Sequence, residues 1–318
     1  MGMKKYFMIG VLMRLIIIFL LISLMGNYSY AQNDLPVIYQ NEAYDFPYQL
    51  LEPHKTIILD PKLKEISGIE HIGNDRIVCV QDEKAHLYFL NFTKNEIYNK
   101  IKFGDPGDFE DLAIVGDDAW AVKSNGDLYR IKNYLSDDFD VKRYETRLKK
   151  KNDCEGLAFD AVNNRLLIAC KGHPFHEDKK AKKRKAIYAF NLENKKLEKD
   201  PVFLLDLEEI KENRSYNTLT SWGLELMALL DENKGDLSFQ PSGISVHPFT
   251  GNLYLIASVG DLLMVLSPEG EVLTLVDLND RLFNQPEGIC FDEAGNLYIS
   301  NEAKEHKPSI HQFEIKKP

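Results

Sequence analysis

Three glutamates of this chain stand in one repeated setting: Glu110 in "FEDLAIV", Glu155 in "CEGLAFD" and Glu287 in "PEGICFD". Serine takes the same place in "ISGIEHI" (Ser67) and "PSGISVH" (Ser242). Carboxylates held close together repel, so they must take up protons, pair with basic residues or bind a cation. Hard oxygen donors of this kind suit calcium, which is plentiful outside the cytoplasm. Two readings of the glutamates follow. In one they cap backbone amides and pair with nearby lysines. In the other Glu110, Glu155 and Glu287, helped by Glu302 and Asp82, hold calcium.

The spacing of the motif says what must position these groups. Its copies are separated by 43, 45, 87 and 45 residues. A period near 44 is the mark of a repeat architecture. After each motif come a turn ("GND", "GDD", "NN", "TGN", "AGN") and a second apolar run such as "RLLIAC" or "NLYIS". A third run follows, and most units close with a fourth, such as "EIYNKIKF" or "VLTLVDL". Four short antiparallel strands per period make a propeller blade. The last unit lacks a fourth strand, whereas "HKTIILD" (His54–Asp60) stands spare before the first. Pairing that spare strand with the last blade closes the ring and hides an edge. The expectation is an all-β, five-bladed β-propeller over residues 53–318. The 87-residue gap leaves a six-bladed alternative. Within it "TSWGLELMALLDENKG" reads as a helix capped by Ser221 and stopped by Gly235, so residues 208–239 are expected to form one insertion.

In such a ring the innermost strand of each blade lines the axial channel, and the motif sits where that strand begins. Ser67, Glu110, Glu155, Ser242 and Glu287 are therefore expected around one mouth. The ends of the second strands reach the same face and bring Asp82, Glu83, Asn125, Asn301 and Glu302 to it, with Lys123 and Lys171 as counter-charges. The motif glycine lets the neighbouring blade approach closely. Ser67, Ser242 and Asn301 are the candidate ligand-binding residues.

Composition narrows the remaining choices. The formal net charge of −10 argues against nucleic-acid binding, which needs a basic surface. No P-loop, Rossmann fingerprint, G-x-S-x-G elbow or histidine-based zinc motif is present. Lys4 and Lys5, the apolar "LIIIFLLISLM" (Leu15–Met25) and the small-residue "SYA" (Ser29–Ala31) read as an export signal over residues 1–31. Arg14 argues against an uncleaved anchor, the one route to membrane attachment. Residues 32–52 read as an N-terminal extension, and a monomer in the periplasm, cell envelope or medium is expected. Cys154 precedes the first strand of the third unit and Cys170 ends its second. Folding that hairpin places them opposite each other, either as a cross-strand disulfide or as buried thiols. Cys79 and Cys290 are expected to be unpaired. "HPFHED" (His173–Asp178) reads as a solvated loop.

The stretch "FQPSGISVHPFTGNLYLIAS" with "QPEGICFDEAGNLYISNE" resembles the SdiA-regulated (YjiK-like) propellers, and the likeness extends over roughly Pro53–Ile315. The resemblance implies a propeller and a calcium association, with a distant likeness to propeller phytases and lactonases; it implies no defined reaction. The expected function is an exported binding or scaffold protein that takes calcium and a small ligand or protein partner at its acidic mouth. The alternative is a calcium-dependent hydrolase of a phosphate ester or lactone, in which the metal activates water and a glutamate serves as base.

Overall fold

The computed structural model describes residues 37–174, 183–212, 238–304 and 306–316. The export segment, the helix read over Ser221–Gly235 and most of the "HPFHED" loop lie outside these residues. Five antiparallel sheets are arranged in a ring, the five-bladed propeller of the expectation rather than its six-bladed alternative.

Blade one is β3 (Ile66–His71), β4 (Arg76–Gln81), β5 (Lys84–Asn91) and β6 (Glu96–Lys102). Blade two is β7 (Phe109–Val115), β8 (Asp118–Lys123), β9 (Leu128–Lys132) and β10 (Asp140–Tyr144). Blade three is β11 (Cys154–Asp160), β12 (Arg165–Cys170) and β13 (Arg184–Asn191), and two short strands, β14 (Lys196–Leu197) and β15 (Phe203–Asp206), share the outer edge of β13. A helix of six residues, Leu207–Glu212, follows at the start of the expected insertion.

Blade four is β16 (Gln240–Val246), β17 (Leu253–Val259), β18 (Leu262–Leu266) and β19 (Val272–Asp277). Blade five is β20 (Pro286–Phe291), β21 (Leu297–Asn301) and β22 (Ser309–Phe313), completed by β2 (Lys55–Ile58) from the N-terminal side. Thr56 pairs with His311 and Ile57 with Ile310. The closing strand inferred from the sequence is thus in place. The N-terminal extension also contributes: β1 (Val37–Gln40) adds a fifth strand to blade four beside β19.

The core lies between blades, because each sheet has two apolar faces. Ile69, Cys79 and Tyr88 of blade one pack with Cys290, Tyr298 and Ile310 of blade five. Trp120 and Val122 of blade two pack with Leu157, Ile168 and Tyr188 of blade three. Between β1 and β2 the chain presents Tyr48, which is fully buried and donates its hydroxyl to the Gly295 carbonyl at 2.6 Å. Its ring lies edge-on to Tyr254 of blade four, 6.0 Å between centroids, and 6.2 Å from Phe291 of blade five. One segment thereby ties both blades next to the closure.

The motif glycines sit where inner strands of adjacent blades meet. A Cβ on Gly68 would lie 2.6 Å from Asp111 Cα of blade two, and one on Gly288 would lie 2.4 Å from the Ser67 carbonyl of blade one. Both positions require the absent side chain, for the reason read from the sequence.

Candidate functional site

Every inner strand carries an irregularity at the motif. The pairing register slips between Ile66 and Ile69, Phe109 and Asp111, Cys154 and Gly156, Pro241 and Gly243, and Pro286 and Ile289. Glu110, Glu155 and Ser242 are the extra residues, left without a cross-strand partner. A bulge of this kind bends the strand and re-aims a side chain. The repeated "EG" and "SG" dipeptides, with "ED" in blade two, therefore encode one local device in each blade. It turns the polar residue out of the ladder while the following position meets the next blade.

Loops at this end link one blade to the next. The Phe109 amide, at the head of β7, donates to the Asp82 carbonyl of blade one at 2.9 Å. The Cys154 amide, at the head of β11, donates to the Ser124 carbonyl of blade two at 2.9 Å. The residues after the second strands of blades one and two are thus held beside the heads of the next inner strands.

The electrostatics of the group follow from burial and like charge. Burial comes first in raising the Glu110 carboxyl to about 10, followed by repulsion from Glu155, Asp108, Glu287 and Asp82. Glu110 accepts no hydrogen bond and makes no ion pair with any described residue. Glu155, 7% exposed, is raised to about 7 by burial, against the pull of Lys171, whose ammonium lies 3.2 Å away. Burial raises Glu287 to about 7 as well. Its Oε1 accepts from Gln285 Nε2 at 2.8 Å, and the same amide also donates to Glu302 Oε2.

Glu302 is raised to about 8, by burial and by its contact with Glu65. Glu65 itself is lowered, by Glu302 and by Lys64, whose Nζ lies 2.6 Å from Oε1. Asp82 is raised to about 6 by burial and the charges of Glu65, Glu83 and Asp108, and its Oδ1 is buried without a hydrogen-bond partner.

The remaining candidates take other roles. Ser242, 2% exposed, donates to the Pro286 carbonyl at 2.6 Å and accepts from the Ser258 amide at 3.2 Å, so it brackets blades four and five. The Ser67 carbonyl accepts from Ser300 Oγ at 3.0 Å across the blade five to blade one seam. Asn301, 2% exposed, donates to Ser309 at 3.5 Å, while its own Oδ1 is buried without a partner. Lys123 lies over the Phe109 ring, 5.3 Å from its centroid, rather than against a glutamate.

Sequence reasoning passed over four residues that the fold brings in. Gln285, Glu65 and Asp108 flank the motifs by one or two positions, and only the fold shows that they reach the same group. Asp111 replaces the motif glycine in blade two. It is 1% exposed, and its Oδ2 accepts from the Leu157 amide of blade three at 2.7 Å. Amide capping between blades is thus performed by Asp111 rather than by Glu110. The signal was the one aspartate in the glycine column.

Residues 196–305 match the family model described as SdiA-regulated, the family the motifs pointed to. No curated protein matches the chain. Among solved structures, Myxococcus xanthus glutaminyl cyclase is similar, with a TM-score of 0.53 at 12% identity over 83% of this chain and 96% of that one. A Bacteroides thetaiotaomicron protein of unknown function has a TM-score of 0.47 at 14% identity. The match takes in 84% of this chain but only 58% of that protein. At these identities the likeness is one of fold.

Proposed function

We propose that this chain is an exported β-propeller binding protein that takes up calcium at its acidic mouth and, with it, a small ligand or protein partner. The observation that carries the reading is Glu110: a half-buried carboxyl whose ionised form is opposed by burial and by Glu155, Asp108, Glu287 and Asp82, and which is paired with no described cation. A divalent ion relieves that repulsion, and the donors are hard oxygens. The unpartnered Oδ1 of Asp82 supports the same reading.

Among the described residues no three histidine, cysteine, aspartate or glutamate side chains form a ready-made metal cluster. Binding on this reading therefore draws the carboxylates inward, and an affinity of roughly 10⁻⁴–10⁻³ M is expected, as for extracellular modules. The hydrolase alternative gains no particular support.

Calorimetry of EDTA-treated protein against calcium tests the proposal. Binding in that range, lost in Glu287→Gln or Glu155→Gln, supports it. No binding below about 10 mM, well above the expected range, ends it. Calcium-dependent cleavage of a phosphate ester or lactone, lost in Glu287→Gln, would promote the hydrolase instead.

A further inference from the structure

The thiols of Cys154 and Cys170 are a pair of buried groups that the proposed function does not use. Both are 0% exposed, and their sulfurs stand 3.8 Å apart. They are direct partners in the ladder between β11 and β12. The Cys154 amide is turned away to the Ser124 carbonyl of blade two, at 2.9 Å. The next ladder bond runs from the Lys171 amide to the Asp153 carbonyl, at 2.7 Å. Cys154 therefore sends no ladder bond through its amide to Cys170, and pairs of this non-bonded kind have the closer Cα approach, about 4.5 Å. That lies inside the span of about 4.4–6.8 Å that a disulfide bridges.

We propose that Cys154 and Cys170 are a redox-modification site, a dithiol that closes to a cross-strand disulfide and staples the mouth end of blade three. The staple sits one residue from the Glu155–Lys171 ion pair on both strands. It would fix the two chain segments that carry the only ion pair made by the three motif glutamates among the described residues.

The oxidant is a disulfide, RSSR. One cysteine, as thiolate, attacks an RSSR sulfur and releases one RSH after proton transfer. The second cysteine then attacks the mixed disulfide and releases the other RSH. Two S–H bonds are replaced by one Sγ–Sγ bond, and RSSR is reduced by two electrons. Both thiols are fully buried in the folded blade, out of reach of RSSR, so closure belongs to folding, before the blade shuts out the oxidant. Cys79 and Cys290, both buried and free, lie on β4 and β20 and serve as internal controls.

The test is to unfold the full chain, refold it in mixed reduced and oxidised glutathione, and map alkylated peptides without reductant. The expected product has a Cys154–Cys170 linkage, alkylated Cys79 and Cys290, and a mass lower by two hydrogens. Four alkylated cysteines at every glutathione ratio, or any other pairing, overturns the proposal. A second measurement uses stability. Cys154 and Cys170 are 16 residues apart, and closing such a loop is expected to raise the melting temperature by roughly 5–10 °C. Dithiothreitol should remove that gain from the refolded wild type and leave a Cys154→Ser, Cys170→Ser double variant unmoved. Equal losses in both proteins would also overturn the pairing. Neither readout involves calcium.

Discussion

The ammonium of Lys171, at the end of β12, stands 3.2 Å from the carboxylate of Glu155, the bulged residue of β11. Among the described residues neither Glu110 nor Glu287 has such a partner. The pair is half-buried, and breaking it by Lys171→Met leaves Glu155 unpaired next to its acidic neighbours. The expected cost without calcium is about 1–3 kcal/mol, between the values for exposed and fully buried pairs. On the calcium reading the same change removes a competing cation, so calcium should bind more tightly and restore most of the lost stability. Denaturant melts with calcium and with EDTA measure both effects. An equal loss in the two conditions would argue that Lys171 is the permanent counter-charge.

The pH dependence of stability has a defined sign. Unfolded glutamates ionise near pH 4.3. The folded protein holds protons on Glu155 and Glu287 up to about 7 and on Glu302 up to about 8. Between these limits the folded state binds more protons than the unfolded chain, so stability falls as pH rises. Glu65, which is lowered, works the opposite way, and only below its ordinary range. The melting temperature in EDTA is expected to drop between pH 5 and pH 8.5, each 1 kcal/mol appearing as roughly 2–4 °C. Glu110, held protonated up to about 10, contributes across this whole range, so Glu110→Gln should flatten the drop. A rising profile over that range would contradict the assigned repulsion.

Gly288→Ala places a methyl group 2.4 Å from the Ser67 carbonyl and 2.6 Å from Ser300 Oγ. The carbonyl is backbone of the neighbouring blade and cannot yield as a flexible side chain can. The expected loss is about 1–3 kcal/mol or more, the usual cost of overpacking. Gly116→Ala, where a Cβ meets nothing within 4 Å, controls for the general effect of alanine. At φ 60° that control carries only a local backbone strain. Urea unfolding separates the two, and equal losses would dismiss the close-approach account.

What was legible in the sequence was whatever repeats. Five copies of one motif gave the blades and the closing strand, because each blade solves the same packing problem with the same residues. What departs from the repeat was not legible. β1 is four residues long, and its partners, Thr274 to Val276, lie more than 230 residues along the chain. Asp111 breaks the glycine column, so the motif pattern passed over a carboxylate that does cap a neighbouring blade. Gln285 joins Glu287 and Glu302 through contacts that no spacing rule encodes. The acidic mouth was therefore visible as a set of residues, but not the way its members divide between a paired glutamate, a bridged pair and a bare one.

The N-terminal segment should behave as a structural member and not as a tail. It lays β1 on blade four, places Tyr48 between blades four and five, and completes blade five with β2. Tyr48→Phe removes only the 2.6 Å bond to the Gly295 carbonyl and is expected to cost about 1 kcal/mol. Tyr48→Ala also empties a fully buried site, and about 3–5 kcal/mol is expected, as for other buried aromatic truncations. Deleting everything before Pro61 goes further. It strips the outer strand from blade five, exposes the edge of β22 and opens the ring, so aggregation through that edge is expected. Light scattering on the deletion, beside thermal melts of the two point variants, checks the series. A deletion product that stays monomeric and melts like the full chain would show that the ring does not depend on this closure.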